Sequence, residues 1–365
     1  MACNDAGMTP SGCNVSDLLT NGNLSDVALS ESNPAYGMYF TYVYRVIYAV
    51  GLLGNMFALM VWARSGLRSS PVTYFQAICV ADSLVLVMHP LETVHAVHVP
   101  GLCQLLHVLF LAVQVFAILL VLGLSVERYI ELCHPLAAEV LITHKRTVRS
   151  ILLLALLSLF ASLVEAFIWH VQPDIGHCGL RHTTSQGFMW TYAILVLAIL
   201  FLCPLLLVIL FNVLVARRMK HKRRNSYAFS DAMVPNKHNM NLSVTFVSLY
   251  LAVCEIVYAA VHISQYFVAH RGDDPTTSGG TNGGAHHDLV SKSDMPLTGR
   301  WRSYYIDSLT LMIVDVVALT SYAIDVTIFT LCSKTFRRNI RKLFQRYQRR
   351  KSLIMGYRQP VPYSN

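Results

Sequence analysis

The stretch LLHVLFLAVQVFAILLVLGLSVERYIELCHPL, residues 105–136, decides which kind of fold this chain adopts. Its first 20 residues contain no Asp, Glu, Lys or Arg, and a helix of that length crosses the hydrocarbon core of a bilayer. The helix then ends in an adjacent acid and base, Glu127 and Arg128, followed by Pro135. The stretch therefore predicts a membrane-spanning helix with two charges at one end.

The whole chain has the composition of a membrane protein. Of its 365 residues, 54% are hydrophobic and 13% are charged, whereas a soluble protein carries about 25% charged residues. Several apolar stretches reach the roughly 20 residues that a spanning helix needs. We name them spans one to seven, and they cover residues 39–63, 72–95, 102–126, 150–170, 188–216, 242–268 and 304–332. The predicted fold is an all-α membrane protein with a seven-transmembrane helix bundle.

Basic residues assign the two faces of the membrane. Of the 29 Lys and Arg, 23 lie after spans one, three and five, at the inner end of span three, or after span seven. Cytoplasmic segments carry such an excess. We therefore predict an extracellular segment over 1–38, a seven-transmembrane domain over 39–332, and a cytoplasmic helix and tail over 333–365, in a multi-pass protein of the plasma membrane. The first segment lacks the regions of a cleavable signal peptide, so we expect span one to act as a signal anchor.

Two basic clusters stand out within the net charge of +9. They are ARRMKHKRRN (216–225) and KTFRRNIRKLFQRYQRRK (334–351), and each follows directly from a span. This position favours the lipid bilayer and acidic partner proteins over nucleic acid. In the second cluster, apolar residues recur at helical spacing among the basic ones, which predicts an amphipathic helix on the inner leaflet. These apolar residues are Phe336, Ile340, Leu343 and Phe344.

The segments predicted to lie outside contain candidate modification sites. Asn14 and Asn23 begin sequons and are predicted glycosylation sites. Four cysteines fall on the same side, where disulfide bonds persist. They are Cys3, Cys13, Cys103 and Cys178.

Polar residues and prolines stand at an ordered set of positions in and beside the spans. An acid at the centre of a span costs about 2.5 to 3.5 kcal/mol on insertion scales, so each one needs a reason. The set comprises Gly54-Asn55, Asp82, Cys103, Glu127-Arg128-Tyr129, Pro135-Leu136, Pro204 and Phe336. In this order the landmarks resemble those of the rhodopsin-like (class A) G-protein-coupled receptors. The stretches SVERYIELCHPL and SKTFRR are similar to those of FMRFamide-like and related neuropeptide receptors.

Several motifs of that family are altered in this chain. Span four lacks the usual Trp, and Asn212 replaces the usual Tyr of span five. The CWxPY motif of span six reads CEIVY (254–258), and the NPxxY motif of span seven reads DVTIF (325–329). These departures leave the fold prediction intact, but they bear on activation. A ligand-independent or constitutively active receptor is therefore an alternative function.

The resemblance implies a role for the charges at the end of span three. In the resembled family the Arg of this triplet is held by its acidic neighbour at rest, and on activation it is released so that a heterotrimeric G protein can bind. The implied switch residues are Glu127, Arg128, Tyr129, Pro135 and Leu136. The alternative is an interfacial ion pair that only anchors the helix. A second lock from an acid at the base of span six is not expected, because Lys237 stands near that position.

The resemblance also implies a disulfide bond and a buried polar site. Cys103 is the expected partner of Cys178, and Cys3 with Cys13 is a weaker second pair. The family's polar, sodium-accessible cavity corresponds here to residues of spans one, two and seven, with Glu255 as an additional carboxylate. The predicted members are Asn55, Asp82, Ser321, Asp325 and Glu255. At least one of the three carboxylates is expected to hold a proton or a cation; the alternative role is a hydrogen-bonded clamp between helices.

The ligand prediction comes from acids in the outer halves of the spans. Amine receptors of the resembled family have an Asp where this chain has Phe110, so a monoamine has no obvious counter-ion. The predicted pocket residues are Glu92, Phe110, Gln114, Glu165, Tyr258 and Asp315. An outward-opening acidic pocket would suit an amidated, basic peptide with an Arg near its C-terminus. The alternative is that the acids pair with His89, His95 or Arg45, or share protons with each other.

Other functional classes fit the sequence less well. The chain has no HExxH motif and falls short of a GxSG serine-protease motif, so no enzyme activity and no cofactor are predicted, apart from the sodium ion. A seven-span transporter or channel would be expected to have paired repeats or broken helices, and the sequence indicates neither. An opsin would need a lysine in span seven, which this span lacks.

Overall fold

The computed structural model describes residues 34–66, 69–92, 99–171, 178–180, 186–225, 249–251, 253–254, 256–257 and 299–356. Long apolar helices dominate these residues, and five of them are long and apolar enough to cross a membrane. These five helical segments are Thr41–Ala63, Ser70–Leu91, Gly101–Cys133, His144–Ile168 and Thr191–His221. They coincide with predicted spans one to five, and the boundaries differ by several residues.

The chain divides into two compact units. One unit comprises residues 1–47 and 257–317, and the other comprises 48–256 and 318–365. The second unit contains the whole of spans two to five, most of span one and the inner half of span seven. It therefore carries most of the side chains discussed below.

The span-three helix, Pro100–Cys133, is central in the second unit. It packs against the span-two helix Ser70–Glu92, the span-four helix His144–Ser162 and the span-five helix Cys203–Asn225. Apolar residues also cover the outward faces, as on span four with Leu152, Leu153, Leu156 and Phe160. Large exposed apolar surfaces of this kind are expected where lipid replaces water.

Span five contains a segment of π-helix ahead of its proline. The helix Gln186–Leu195 is followed by the π-helix Val196–Leu202 and then by the helix Cys203–Asn225. Pro204 has no N–H to donate, and a proline ring clashes with the carbonyl of the residue four positions earlier. The wider π turn accommodates the proline, so the helix continues through it.

Span seven bends although its motif has no proline. Its two helical parts, Leu309–Ala323 and Asp325–Leu331, meet at an angle of 51°. Near the bend, Asn55 Nδ2 donates a hydrogen bond of 2.7 Å to the carbonyl oxygen of Tyr322. A side chain that hydrogen-bonds to a main-chain carbonyl of a helix, in place of the usual N–H donor, is a recognised cause of a kink. The aspartate that replaces the family's asparagine therefore does not prevent a break at this position.

The predicted amphipathic helix is present and long, covering Lys334–Gly356; we name it the surface helix. The Phe336 N–H donates to Ser333 Oγ at 3.2 Å, and this bond satisfies a main-chain donor of the first turn. Phe336 is fully buried beside Trp62 and Phe329, with ring centroids 5.1 and 5.7 Å away. This aromatic cluster attaches the surface helix to spans one and seven.

Candidate functional site

At the inner end of span three, the ion pair of Arg128 differs from the predicted one. Arg128 is 4% exposed, and its Nη1 donates to Glu131 Oε2 at 2.6 Å. The resemblance implied Glu127 as the partner. Residues i and i+3 lie on the same face of a helix whereas adjacent residues do not face each other, and this geometry favours Glu131.

Glu127 instead accepts hydrogen bonds from neutral donors on neighbouring helices. The Ser70 hydroxyl donates to Glu127 Oε2, and the Thr147 hydroxyl donates to Oε1 at 3.2 Å. The Tyr74 hydroxyl is a third donor to the same carboxylate. Glu127 thus links spans two, three and four at the inner face. Ser70 and Thr147 were not predicted as partners from the sequence, because both lie just outside the apolar stretches.

Asn212, one of the departures from the family pattern, connects span five to span three. It is buried, and its Nδ2 donates to Ser125 Oγ at 3.1 Å and to the Val208 carbonyl at 2.8 Å. Tyr129 packs one turn further inward against the Phe211 ring, 5.4 Å between centroids. Span five therefore contacts the helix that carries Arg128 through an amide and an aromatic ring.

The other two residues of the predicted switch lie on a short helix, Pro135–Leu141. Pro135 occupies its first turn, where the missing N–H costs nothing. Leu136 is 83% exposed. A large apolar side chain so exposed at the inner face is available to a partner protein.

The structure brings four of the five predicted buried polar residues into the core of the second unit. Asn55, Asp82, Ser321 and Asp325 are all buried, and the carboxyl groups of Asp82 and Asp325 hydrogen-bond to each other. Two carboxyl groups in such contact need a proton or a cation between them. Asn55 Oδ1 and Asp325 Oδ2 are buried and have no partner among the described residues. Unpartnered oxygen atoms are the ligands that a hard cation takes, so this group of residues fits a sodium ion.

At the outer end of span three, Cys103 and Cys178 form the implied disulfide bond, with 5.7 Å between their Cα atoms. Cys178 lies on β2 (Cys178–Leu180), which pairs antiparallel with β1 (Trp169–Val171). His107 lies close to both sulfur atoms, but a disulfide bond leaves no thiolate for a metal. The His107 ring stacks on Trp169, with 3.6 Å between centroids. The bridge and the stack together fix the hairpin to span three.

Glu165 has a defined environment among the predicted pocket residues. It is half-buried at the outer end of span four. It accepts a hydrogen bond from Trp169 Nε1 at 2.6 Å and another from the Tyr192 hydroxyl. Among the described residues no basic side chain pairs with it. Within the part of the chain that the structure describes, its carboxyl group is therefore held by neutral donors.

The other described pocket residues have partners of their own. Asp315 Oδ2, in the first unit, accepts from the Tyr44 hydroxyl at 2.7 Å. Phe110 packs edge-on against His89, whose Nδ1 lies 2.7 Å from the Tyr48 hydroxyl. Gln114 is half-buried on span three. The two described acids, Glu165 and Asp315, therefore accept hydrogen bonds from tyrosine and tryptophan donors.

The remaining predicted residues fall outside the part of the chain that the structure describes. These are Asn14, Asn23, Cys3, Cys13, His95, Lys237, Glu255 and Tyr258, together with the side chain of Glu92. The predictions made for them stand as predictions. The same holds for the boundaries 1–38, 39–332 and 333–365.

A family comparison matches more than half of the chain. The model of the family described as 7 transmembrane receptor (rhodopsin family) matches residues 54–282. This region begins in span one and ends beyond span six. It includes the disulfide bond, Arg128 and Glu165.

Curated relatives are receptors as well. Neuromedin-U receptor 2 of Mus musculus is 27% identical over 240 residues, which cover 62% of this chain and 61% of that receptor. Growth hormone secretagogue receptor type 1 of Oryctolagus cuniculus is 22% identical over 322 residues, which cover 84% of this chain and 81% of that receptor. The chain thus spans about three fifths of the length of the neuromedin-U receptor that it matches.

Proposed function

Because this chain belongs to the rhodopsin family of seven-transmembrane receptors, we propose that it binds a peptide outside the cell and activates a heterotrimeric G protein inside. Its membership makes it a multi-pass membrane receptor of a non-enzymatic class, and the predicted seven-transmembrane fold is confirmed. The relatives are receptors for neuromedin U and for growth hormone secretagogues, which supports a peptide ligand. The finer FMRFamide-like assignment stays a prediction.

The observation that carries the proposal is the buried Arg128 paired with Glu131 at the inner end of span three. A buried charge pair at a membrane edge is a two-state element, because each partner can exchange the other for water or for a new contact. We propose that Arg128 leaves Glu131 on activation and that the G protein occupies the opened cavity. The exposed Leu136 beside it would then pack into the partner.

On the outer side we propose Glu165 as the anchor for a basic group of the ligand. A half-buried carboxylate held by Trp169 and Tyr192 has no described cation beside it. A guanidinium group would match this carboxylate with charge-assisted hydrogen bonds. An amidated peptide with an Arg near its C-terminus is the ligand that this chemistry favours.

We also propose that the buried carboxyl pair binds a sodium ion. Asp82 and Asp325 would supply its charge balance, and Asn55 Oδ1 and the Ser321 hydroxyl would complete the oxygen ligands. The ion would neutralise two acids that otherwise repel each other. In its absence a shared proton would do the same.

Cells that express the full chain test coupling. We would apply a panel of amidated peptides and read several G-protein sensors. Arg128→Ala should abolish activation, whereas the exposed Arg149→Ala should not, both at matched surface levels. Normal coupling by Arg128→Ala would reject the switch. High signalling of the parent without any peptide would favour the ligand-independent alternative.

The peptide anchor is tested by pairing receptor and ligand variants. Glu165→Gln should lower the potency of an Arg-containing peptide by roughly 10- to 100-fold, since a hydrogen bond to a charged group contributes about 1.5–3 kcal/mol. The same peptide with norleucine in place of Arg should lose little. Asp315→Asn tests the second acid by the same comparison of the Arg and norleucine peptides. Equal losses for both peptides would exclude an Arg contact at Glu165.

A further inference from the structure

The second half of the surface helix, residues 344–356, has different surroundings from the first half; we name it the distal segment. In the first half Phe336 is buried, and Arg337 Nη1 donates to the carbonyl oxygen of Thr330 at 2.8 Å. In the distal segment every residue over 344–349 is exposed. Six consecutive residues go more than once round a helix. Within the part of the chain that the structure describes, this stretch is therefore open on all sides.

The distal segment has large apolar side chains that face solvent. Phe344 is 58% exposed and Tyr347 is 63% exposed, and residues three positions apart lie on the same face of a helix. Three more apolar residues precede the end of the helix in the sequence: Leu353, Ile354 and Met355. An amphipathic helix enters an apolar groove through anchors at such spacings. Phe344 and Tyr347 therefore have the exposure and the spacing of groove anchors.

The distal segment is also strongly basic. It has no Asp or Glu, and its basic residues are Arg346, Arg349, Arg350 and Lys351. Successive residues of a helix are about 100° apart, so the three consecutive basic positions 349–351 are distributed around the whole helix. A partner with complementary charge is acidic and contacts the helix from more than one side.

The position of Lys351 distinguishes such a partner from the bilayer. Lys351 follows Tyr347 by four residues, so it lies on the face that carries Phe344 and Tyr347, and it is exposed. A helix in the membrane interface has its Lys and Arg on the polar face, away from the acyl chains. A bilayer that covered the two rings would also have to cover Lys351. A protein groove with an acidic rim accommodates all three residues.

We infer that the distal segment binds a calcium-loaded sensor protein of the EF-hand class. Such a sensor opens when calcium binds and exposes a Met-rich apolar groove, and its calcium-binding loops are rich in carboxylates. Phe344 and Tyr347 enter the groove, and the basic residues pair with carboxylates at its rim. A sensor with two EF-hand lobes contacts the helix from both sides. Occupancy of the distal segment then follows the cytosolic calcium concentration.

The test uses the full-length receptor in phosphatidylcholine nanodiscs, titrated into fluorescently labelled calmodulin as the probe. Binding should occur with calcium and be lost with a calcium chelator. Phe344→Ala combined with Tyr347→Ala should weaken binding by about 100-fold, since a large anchor in a groove contributes about tenfold or more. The control Val140→Ala with Leu141→Ala removes two apolar side chains that are 62% and 51% exposed. It should leave the affinity unchanged.

A second pair of variants tests the charges. The triple variant Arg346→Gln, Arg349→Gln, Lys351→Gln should weaken calmodulin binding by about tenfold or more. The control triple Lys145→Gln, Arg217→Gln, Arg218→Gln removes the same charge from exposed positions on spans four and five, and it should weaken binding by less than about threefold. All substituted residues are exposed, so the unfolding temperature of each variant should stay near that of the parent.

Four results would overturn the proposal. Binding that persists without calcium would exclude the opened groove of an EF-hand sensor. Equal losses in the two triple variants would show diffuse attraction between an acidic and a basic protein. Binding in detergent micelles but not in nanodiscs would assign Phe344 and Tyr347 to the bilayer. Absence of binding in both media would reject the sensor altogether.

Discussion

At the scale of single residues, the two carboxylates near Arg128 have different partners. Glu131 pairs with the arginine, while Glu127 is held by Ser70, Thr147 and Tyr74. Release of Arg128 therefore requires the ion pair with Glu131, within its own helix, to break. The hydrogen bonds of Glu127 to spans two and four can persist through that change.

Loss of the Glu131 carboxylate should increase basal signalling. Glu131→Gln keeps the side-chain shape but removes an ion pair worth about 1 kcal/mol, which corresponds to roughly a fivefold shift towards the released arginine. Basal G-protein activity at matched surface level is the measurement. Glu139→Gln, on the exposed helix Pro135–Leu141, is the control and should leave it unchanged. A basal activity below that of the parent would mean that Glu131 acts in the active state.

At the scale of helices, close contact between spans determines which substitutions the second unit tolerates. A Cβ added at Gly51 would lie 2.6 Å from Leu86 Cδ1 and 2.9 Å from Ala323 Cβ, so spans one, two and seven meet at this glycine. Gly101 has nothing within 4 Å of such an atom. The two glycines therefore offer a matched comparison within helices.

Gly51→Val should destabilise the receptor, whereas Gly101→Val should not. Overpacking costs about 1–3 kcal/mol. Because both variants introduce the same residue into a helix, the difference between their unfolding temperatures reports the packing of the three spans. Thermal unfolding of the purified proteins measures it. Equal unfolding temperatures would show that spans one, two and seven can separate at this contact.

The outer hairpin depends on its bridge to span three. Cys103→Ser and Cys178→Ser should each impair surface delivery, because a disulfide that closes a loop over a separation of 75 residues stabilises by about 4 kcal/mol in the chain-entropy model. The double variant should be no worse than either single one, since all three lack the same bond. Flow cytometry of surface-labelled cells gives the comparison. Additive losses would mean that the two cysteines act separately.

The orientation in the membrane is a property of the whole molecule, and the distribution of basic residues predicts it. An epitope tag at the N-terminus should be accessible on intact cells, and one at the C-terminus only after permeabilisation. Asn14→Gln and Asn23→Gln should each remove one glycosidase-sensitive mass increment from the protein. A C-terminal tag that is stained on intact cells would overturn the predicted topology.

Apolar length and basic-residue bias were enough for the sequence by itself to predict spans one to five and the amphipathic surface helix, and the ordered landmarks indicated the family. A bilayer selects these features through local composition, so no knowledge of helix packing is needed. The i, i+3 spacing of Arg128 and Glu131 was also present in the sequence and could have indicated their pairing.

The tertiary structure alone decided which side chains meet across helices. It joined Glu127 to Ser70 and Thr147, Asn212 to Ser125, and Asn55 to the carbonyl at the bend of span seven. It also placed Arg64 beside Lys342 and Arg346. Crossing a bilayer fixes the length of a helix but neither its rotation nor its register against its neighbours, because those depend on side-chain packing and interhelical hydrogen bonds between distant parts of the chain.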